Sequence, residues 1–281
     1  MKKLQILVCA HKEDPCTRNE GVFSAIQVGS ALSQKKYGFL CDNVGENISE
    51  RNPYWCEWTA LFWGWKNLHN VRYLGLNHYR RYFDYEISDD NIESLLKGYD
   101  MIVVKSKKNI FKNQRLENLI HMTSQEDAYI FLDTLLFLRP ECKEALLQYF
   151  YNSRESYPFS MFISSKELYD DYCNFIFPVL FETEKRLKSH LYTRQKRTIG
   201  YFGEWSLGIF IFYKHLRVKK IPIIMYGKKD YHSCWYKEIA RFFINSFYTF
   251  VNYFEPVPDN IYVPDAVKVG LKSDGIELKA L

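Results

Sequence analysis

Between Val71 and Tyr85 the chain reads VRYLGLNHYRRYFDY, an apolar run that ends at once in His78, Arg80 and Arg81. Such a run fits a buried strand that leaves the core and delivers hydrogen-bond donors at its edge. Packing alone does not account for it, because Arg is rarely fully buried unless it is paired. The guanidinium fork matches phosphate or carboxylate, so an anionic ligand is expected at this edge. A second apolar run, Leu4 to Ala10, is followed by His11, Lys12 and a turn-like Glu-Asp-Pro. It fits another strand opening into a loop, and in open α/β sheets ligands sit at such carboxyl ends.

Between these two runs lies a helix signal. Asn52 is a cap residue, Pro53 suits the first helical position, and YWCEWTALFWGWKNL follows, which predicts one helix from Pro53 to Leu68. It is apolar almost all the way round and should be buried. Glu57 is its exception, and two readings stand: a salt bridge to a basic residue inside the fold, or a carboxylate that orients an Arg or a ligand hydroxyl. An acidic helical segment, SDDNIESLLKG, then precedes the β-branched run YDMIVVK. Strand, helix, strand, helix, strand in the first hundred residues indicates an α/β protein with a Rossmann-type sheet. IQVGSALS stays unassigned.

Later segments read as architecture. SQEDAYIFLDTLLF opens with a capping-box-like spacing at Ser124, Pro140 starts a further helix, and Met161 to Ser164 forms a short strand. Ser165 caps a long helix that Pro178 should kink. RTIGYFGEWSLGIFIFY sets Glu204 between Gly203 and an apolar run. A loop with Gly200 and Gly203 allows close backbone approach to a ligand; the alternative is an ordinary carboxylate at a helix N-terminus. IPIIMYG supplies one more strand. The stretch from His232 to Phe254 has aromatic residues at helical spacing with Lys237 and Arg241 nearby. This leaves packing on the parent domain and peripheral membrane contact both open. The last residues carry three prolines and are expected to be extended.

With 281 residues, one large domain over residues 1–230 and an appendage over 231–281 are expected. The net charge of +5 is mild and spread along the chain, which excludes a dedicated nucleic-acid binder with a dense basic stripe. Seven cysteines form no CxxC pair, which argues against structural zinc and a disulfide framework and for a reducing, cytoplasmic setting. The start MKKLQILVCAHKEDP has too short an apolar core for a signal peptide, and no run approaches a membrane span. GxGxxG, GxxxxGK[ST] and GxSxG are absent, so dinucleotide, P-loop and hydrolase-elbow readings lose their support. At 17% aromatic content the chain is rich in rings that stack on bases and sugars, or that fill a large aromatic core.

VCAHK at 8–12, DNVGENISERNPYWCEWTALFWGWKNL at 42–68 and YLGLNHYRRYF at 73–83 resemble the DUF4422 family, which occurs in capsular and O-antigen polysaccharide clusters and is regarded as glycosyltransferases. MFISSKELYDDYCNFIFPVLFETEKRL and RTIGYFGEWSLGIFIF match its later blocks, so the resemblance covers residues 4–225. It implies a GT-A-like mixed sheet flanked by helices, with a helical C-terminal appendage. It also implies a hexosyltransferase, galactose-type favoured, that uses a nucleotide-diphosphate sugar, UDP favoured. The acceptor implied is a glycan or lipid-linked glycan of a surface polysaccharide, with the enzyme in the cytoplasm or at the inner face of the membrane. GT-A enzymes usually hold a divalent metal, Mn or Mg, on an Asp-x-Asp. Here the matching strand end reads NHYRRYFDY, with Asp84 alone. Arg80 and Arg81 can neutralise the diphosphate in its place, while His78 with Asp84 leaves an ion open. The donor is expected near His11, Lys12, Asn47 and Glu57, facing Arg80 and Arg81. Glu204 is expected as the base for the acceptor hydroxyl, with His78 beside it. If configuration is retained, Glu204 only positions the acceptor. A non-catalytic nucleotide- or carbohydrate-binding module is the competing class, and a nuclease using His78 and the arginines lacks paired metal-binding acids.

Overall fold

The computed structural model describes residues 2–106, 114–187, 196–227, 235–254 and 256–281. In chain order the elements are β1 (Lys2–Ala10), β2 (Phe23–Gln27), β3 (Leu40–Cys41), α1 (Asn52–Trp55), α2 (Trp58–Asn67), β4 (Val71–His78), β5 (Arg81–Phe83), α3 (Ile92–Leu96) and β6 (Met101–Val104). There follow α4 (Gln114–Met122), α5 (Gln125–Leu138), α6 (Lys143–Leu147), β7 (Phe162–Ser165), α7 (Lys166–Arg186), α8 (Thr198–Tyr213), β8 (Val218–Ile221), β9 (Ile223–Met225), α9 (Trp235–Tyr253) and α10 (Asp265–Ser273). The sheet runs β3-β2-β1-β4-β7-β6-β8, with β5 joining β4 to β9. β1, β2, β3 and β4 are parallel, whereas β7 runs antiparallel to both β4 and β6. This is the expected Rossmann-type mixed sheet flanked by helices.

The register decides which side chains share a face. Leu7 pairs with Leu76 and Cys9 with His78, so His78 continues the row that faces the larger core. That core lies between the sheet and α2, α5, α7 and α8, and it is filled largely by rings, among them Trp55, Trp58, Phe131, Tyr172 and Phe202. The opposite face, built on Leu4, Ile6, Val8, Ile102 and Ile163, is closed by Tyr82, Phe83 and Ile92. The aromatic richness of the sequence is thus in good part core packing.

Several capping signals act as expected. Ser124 Oγ accepts from Asp127 N at 3.0 Å and Ser165 Oγ from Leu168 N at 3.2 Å, each satisfying a backbone donor at a helix start. α7 runs through Pro178 as one 21-residue helix. Two expectations change. The segment after Pro140 begins as a short 3-10 turn before α6. The chain end is not extended: α10 starts just after Pro264, and Ile261, Val263, Val267, Leu271 and Ile276 are buried in the larger core. The buried Asp133 carboxylate fastens this end, accepting from the backbone N–H groups of Lys279, Ala280 and Leu281 at 2.7, 2.6 and 3.0 Å and from Arg186 at 2.7 Å. α9 matches the helix expected over 232–254 except for residues 232–234, which lie outside the described residues, as does the expected domain boundary at 230/231. The six cysteines among the described residues are free. Among those residues no helix is long and apolar enough to cross a membrane.

Candidate active site

The helix predicted from Pro53 to Leu68 is broken. Cys56 takes a positive φ of 53°, a strained choice for a side chain other than glycine. Asn52 explains how the break is held, because its amide donates to Cys56 O at 2.7 Å and to Thr59 Oγ1 at 3.2 Å. The break leaves Glu57 at the N-cap of α2, half-buried, instead of inside a continuous helix. Burial pushes its carboxyl above the usual range, while its own backbone N–H, Ser160, Arg81 and Arg197 favour the charged form. Cys56 beside it is pushed up to about 12 by burial and then by Glu57, so it stays a thiol.

Glu204 reaches the same place from α8. The expected glycine loop is not there, since Gly200, Gly203 and Glu204 all lie within the helix. The glycines serve helix contact instead: a Cβ on Gly203 would fall 2.0 Å from Trp58 Cε2, and one on Gly208 would fall 2.1 Å from Tyr149 Cζ. Without those side chains α8 lies against the Cys56–Trp58 segment, and Glu204 comes within electrostatic reach of Glu57. Burial first and the Glu57 charge second raise Glu204 to about 7, with the Phe159 backbone N–H and Arg81 pulling the other way. Two half-buried carboxyls of this kind cannot both ionise freely.

The third wall is the segment before β7. Phe159 and Ser160 both have positive φ, 71° and 52°, and two consecutive non-glycine residues in that region store strain. The Phe159 peptide joins two sides of the site. Its N–H donates to Glu204 and its carbonyl accepts from His78 Nε2 at 2.8 Å. A carbonyl only accepts, so Nε2 carries the proton. Burial, with Arg81 adding to it, lowers His78 to about 4 despite the Phe159 bond. His78 is therefore neutral at ordinary pH. The Phe159 ring lies under the Arg81 guanidinium at 4.2 Å. Ser160 Oγ is buried beside Glu57, yet makes no hydrogen bond of regular geometry.

The two neighbouring arginines separate. Arg81 belongs to β5 and stands over Phe159, whereas Arg80 pairs with Asp14 through Nε at 2.9 Å and through its terminal nitrogen at 2.6 Å. The Cys16 backbone N–H and then Arg80 hold the Asp14 carboxyl below its usual range. This pair ties the β4–β5 turn to the loop after β1. His11 packs edge-on against Tyr79 at 5.3 Å, and partial burial, Lys12, Arg197 and Arg80 lower its pKa. Asn47 is engaged in its own loop, donating to Gly45 O at 2.8 Å and accepting from Ser49 N at 3.2 Å.

The structure thus brings His11, Lys12, Glu57, His78, Arg81 and Glu204 to one side of the sheet's carboxyl edge, with Arg80 at its margin and Asn47 occupied elsewhere. It adds Arg197, at the N-cap of α8 and within electrostatic reach of Glu57 and His11, and the Phe159–Ser160 turn. Sequence patterns carry no signal for either, since one depends on where α8 docks and the other on backbone strain. A divalent ion of the Asp-x-Asp kind does not fit: His78 Nε2 is bonded to Phe159, Asp84 is exposed, and among the described residues no group of three His, Cys, Asp or Glu side chains is placed to hold a metal.

Residues 5–215 match the sequence profile of DUF4422, described as a domain of unknown function. The chain belongs to the DUF4422 family. The fold of this member is shared with a solved structure titled WbbM bifunctional glycosyltransferase, in its apo form. The two superpose with a TM-score of 0.71 at 24% sequence identity, over 81% of this chain and 46% of that one. This DUF4422 protein therefore spans less than half the length of its structural neighbour. Among curated proteins nothing matches the chain.

Proposed function

We propose that this protein is a glycosyltransferase that moves a hexose, galactose-type favoured, from a nucleotide-diphosphate sugar to a growing surface-polysaccharide acceptor. The observation that carries the reading is the pair of half-buried carboxyls, Glu57 and Glu204, at the carboxyl edge of a Rossmann-type sheet beside Arg81 and Arg197. The fold shared with a structure titled as a glycosyltransferase supports it, as does membership of DUF4422.

In this reading the donor, UDP-linked by preference, lies over the ends of β1 and β4, near His11 and Lys12. Arg81 takes the diphosphate and stabilises the charge that grows on the leaving nucleotide. Arg197 adds to that field. Arg80, already paired with Asp14, contributes less, and Asn47 acts through the shape of its loop. Glu204 accepts the proton of the acceptor hydroxyl as that oxygen attacks the anomeric carbon from the face opposite the nucleotide. The C–O bond to the diphosphate breaks, its electron pair leaves with the nucleotide, and configuration inverts. A carboxyl raised to about 7 is matched to this task near neutral pH. Glu57 keeps Glu204 basic through its negative charge. Neutral His78 positions the Phe159 turn that bonds Glu204.

The test is Glu204→Gln. Transfer should fall by about 10²–10⁴-fold, with nucleoside diphosphate affinity unchanged. Transfer near the wild-type rate removes Glu204 as the base. Slow hydrolysis of the nucleotide sugar without acceptor is expected of the wild type, and its absence points to a binding module instead.

A further inference from the structure

α9 departs from the rest of the chain. The core is left after β9 and rejoined at Val257 and Ile261, and α9 lies beyond the family-matched residues 5–215. Along it Ile239, Phe242, Phe243, Ile244, Phe247 and Phe250 are 45 to 67% exposed. Such a run of exposed apolar side chains on one helix calls for a covering phase.

The shape of the apolar surface indicates which. At 3.6 residues per turn, the positions from Phe242 through Ile239, Phe250, Phe243 and Phe247 to Ile244 sweep an arc of about 200°. A single partner helix covers a seam of roughly 100°, so a second copy docking helix to helix leaves phenylalanines on both flanks in water. A lipid surface wets the whole arc. Charge agrees: residues 242–254 hold no charged side chain, while the preceding stretch 228–241 carries Lys228, Lys229, Lys237 and Arg241 against Asp230 and Glu238. One end of the segment is net basic and the other uncharged and aromatic, a pattern suited to an anionic interface. The helix does not meet the length and apolarity needed to span a bilayer.

We propose that α9 is an in-plane anchor that seats its phenylalanine arc in the surface of an anionic lipid bilayer. The anchor does not depend on the reaction assigned to the site. Sedimentation of the full chain with vesicles tests it, using phosphatidylcholine alone and phosphatidylcholine mixed with phosphatidylglycerol. The wild type should sediment with the mixed vesicles and more weakly with the neutral ones, and added salt should reduce the difference. Phe242→Ser combined with Phe250→Ser should weaken partitioning by about tenfold or more without changing Tm. A wild type that stays in solution with both vesicles overturns the proposal. So does a double variant that binds like the wild type, or a wild-type dimer that the double variant splits while neither binds vesicles.

Discussion

α8 and α9 are both aromatic helices, yet they sit in opposite environments. α8 is buried along most of its length, and its glycines face Trp58 and Tyr149 closely enough that a Cβ would overlap their rings. α9 has no glycine, and its phenylalanines project into solvent. Aromatic residues alone thus decide neither burial nor function. What separates the two helices is whether small residues let the backbone approach a partner. In α8 that approach also carries a carboxylate to Glu57, so close packing and a raised pKa have one cause.

Substitutions can break this contrast. The largest effect on folding is expected from Gly203→Val, which drives a side chain into Trp58. Overpacking of a tight core costs about 1–3 kcal/mol, occasionally more, and this site is at the upper end because the obstacle is a buried indole. A denaturant midpoint equal to wild type would mean that α8 does not sit against Trp58.

A smaller effect separates the two neighbouring arginines. Arg81→Ala should weaken nucleoside diphosphate binding by roughly 10–100-fold, the size of a charge-assisted contact of about 1.5–3 kcal/mol. Arg80→Ala should weaken it less, since Arg80 is held by Asp14. Equal losses by calorimetry would remove the distinction.

Next comes pH. The folded-state pKa of Glu204, about 7, lies above its ordinary value of 4.5, so the fold favours the protonated acid. That contribution is fully present below about 4.5 and is lost as pH rises through about 7. Urea midpoints should therefore decline over that window by more in the wild type than in Glu204→Gln. A Glu204→Gln profile parallel to wild type would mean that the carboxyl is not destabilised by burial and by Glu57. The least effect on stability belongs to α9, where Phe242→Ser, at a ring 67% exposed, should change the unfolding free energy by no more than about 0.5 kcal/mol. A larger loss would show that the ring is packed in the fold.

Much of this architecture was legible in the sequence. Apolar runs marked β1, β4, β6 and β7, and Ser124 and Ser165 marked two helix starts because capping is local chemistry. Glu57 and Glu204 stood out as acids in apolar surroundings. Their meeting was not legible, because it depends on a break at Cys56 with no glycine or proline to announce it and on glycines that act across a helix contact. The Phe159–Ser160 turn was silent for the same reason: the Phe159 peptide meets His78 and Glu204, which come from distant parts of the chain. α10 was missed because its prolines read as an extended end, although Pro264 immediately precedes the helix.

The carboxyl edge beside Arg81 and Glu204 is proposed to take a nucleotide-linked sugar. A thermal-shift panel of nucleoside diphosphates and nucleotide sugars, with and without manganese, tests it most directly, since a ligand that binds the native state raises its apparent stability. Tm should rise with a nucleoside diphosphate and with its sugar conjugate, and Arg81→Ala should diminish the rise. No shift with any member of the panel, in either metal condition, would contradict it.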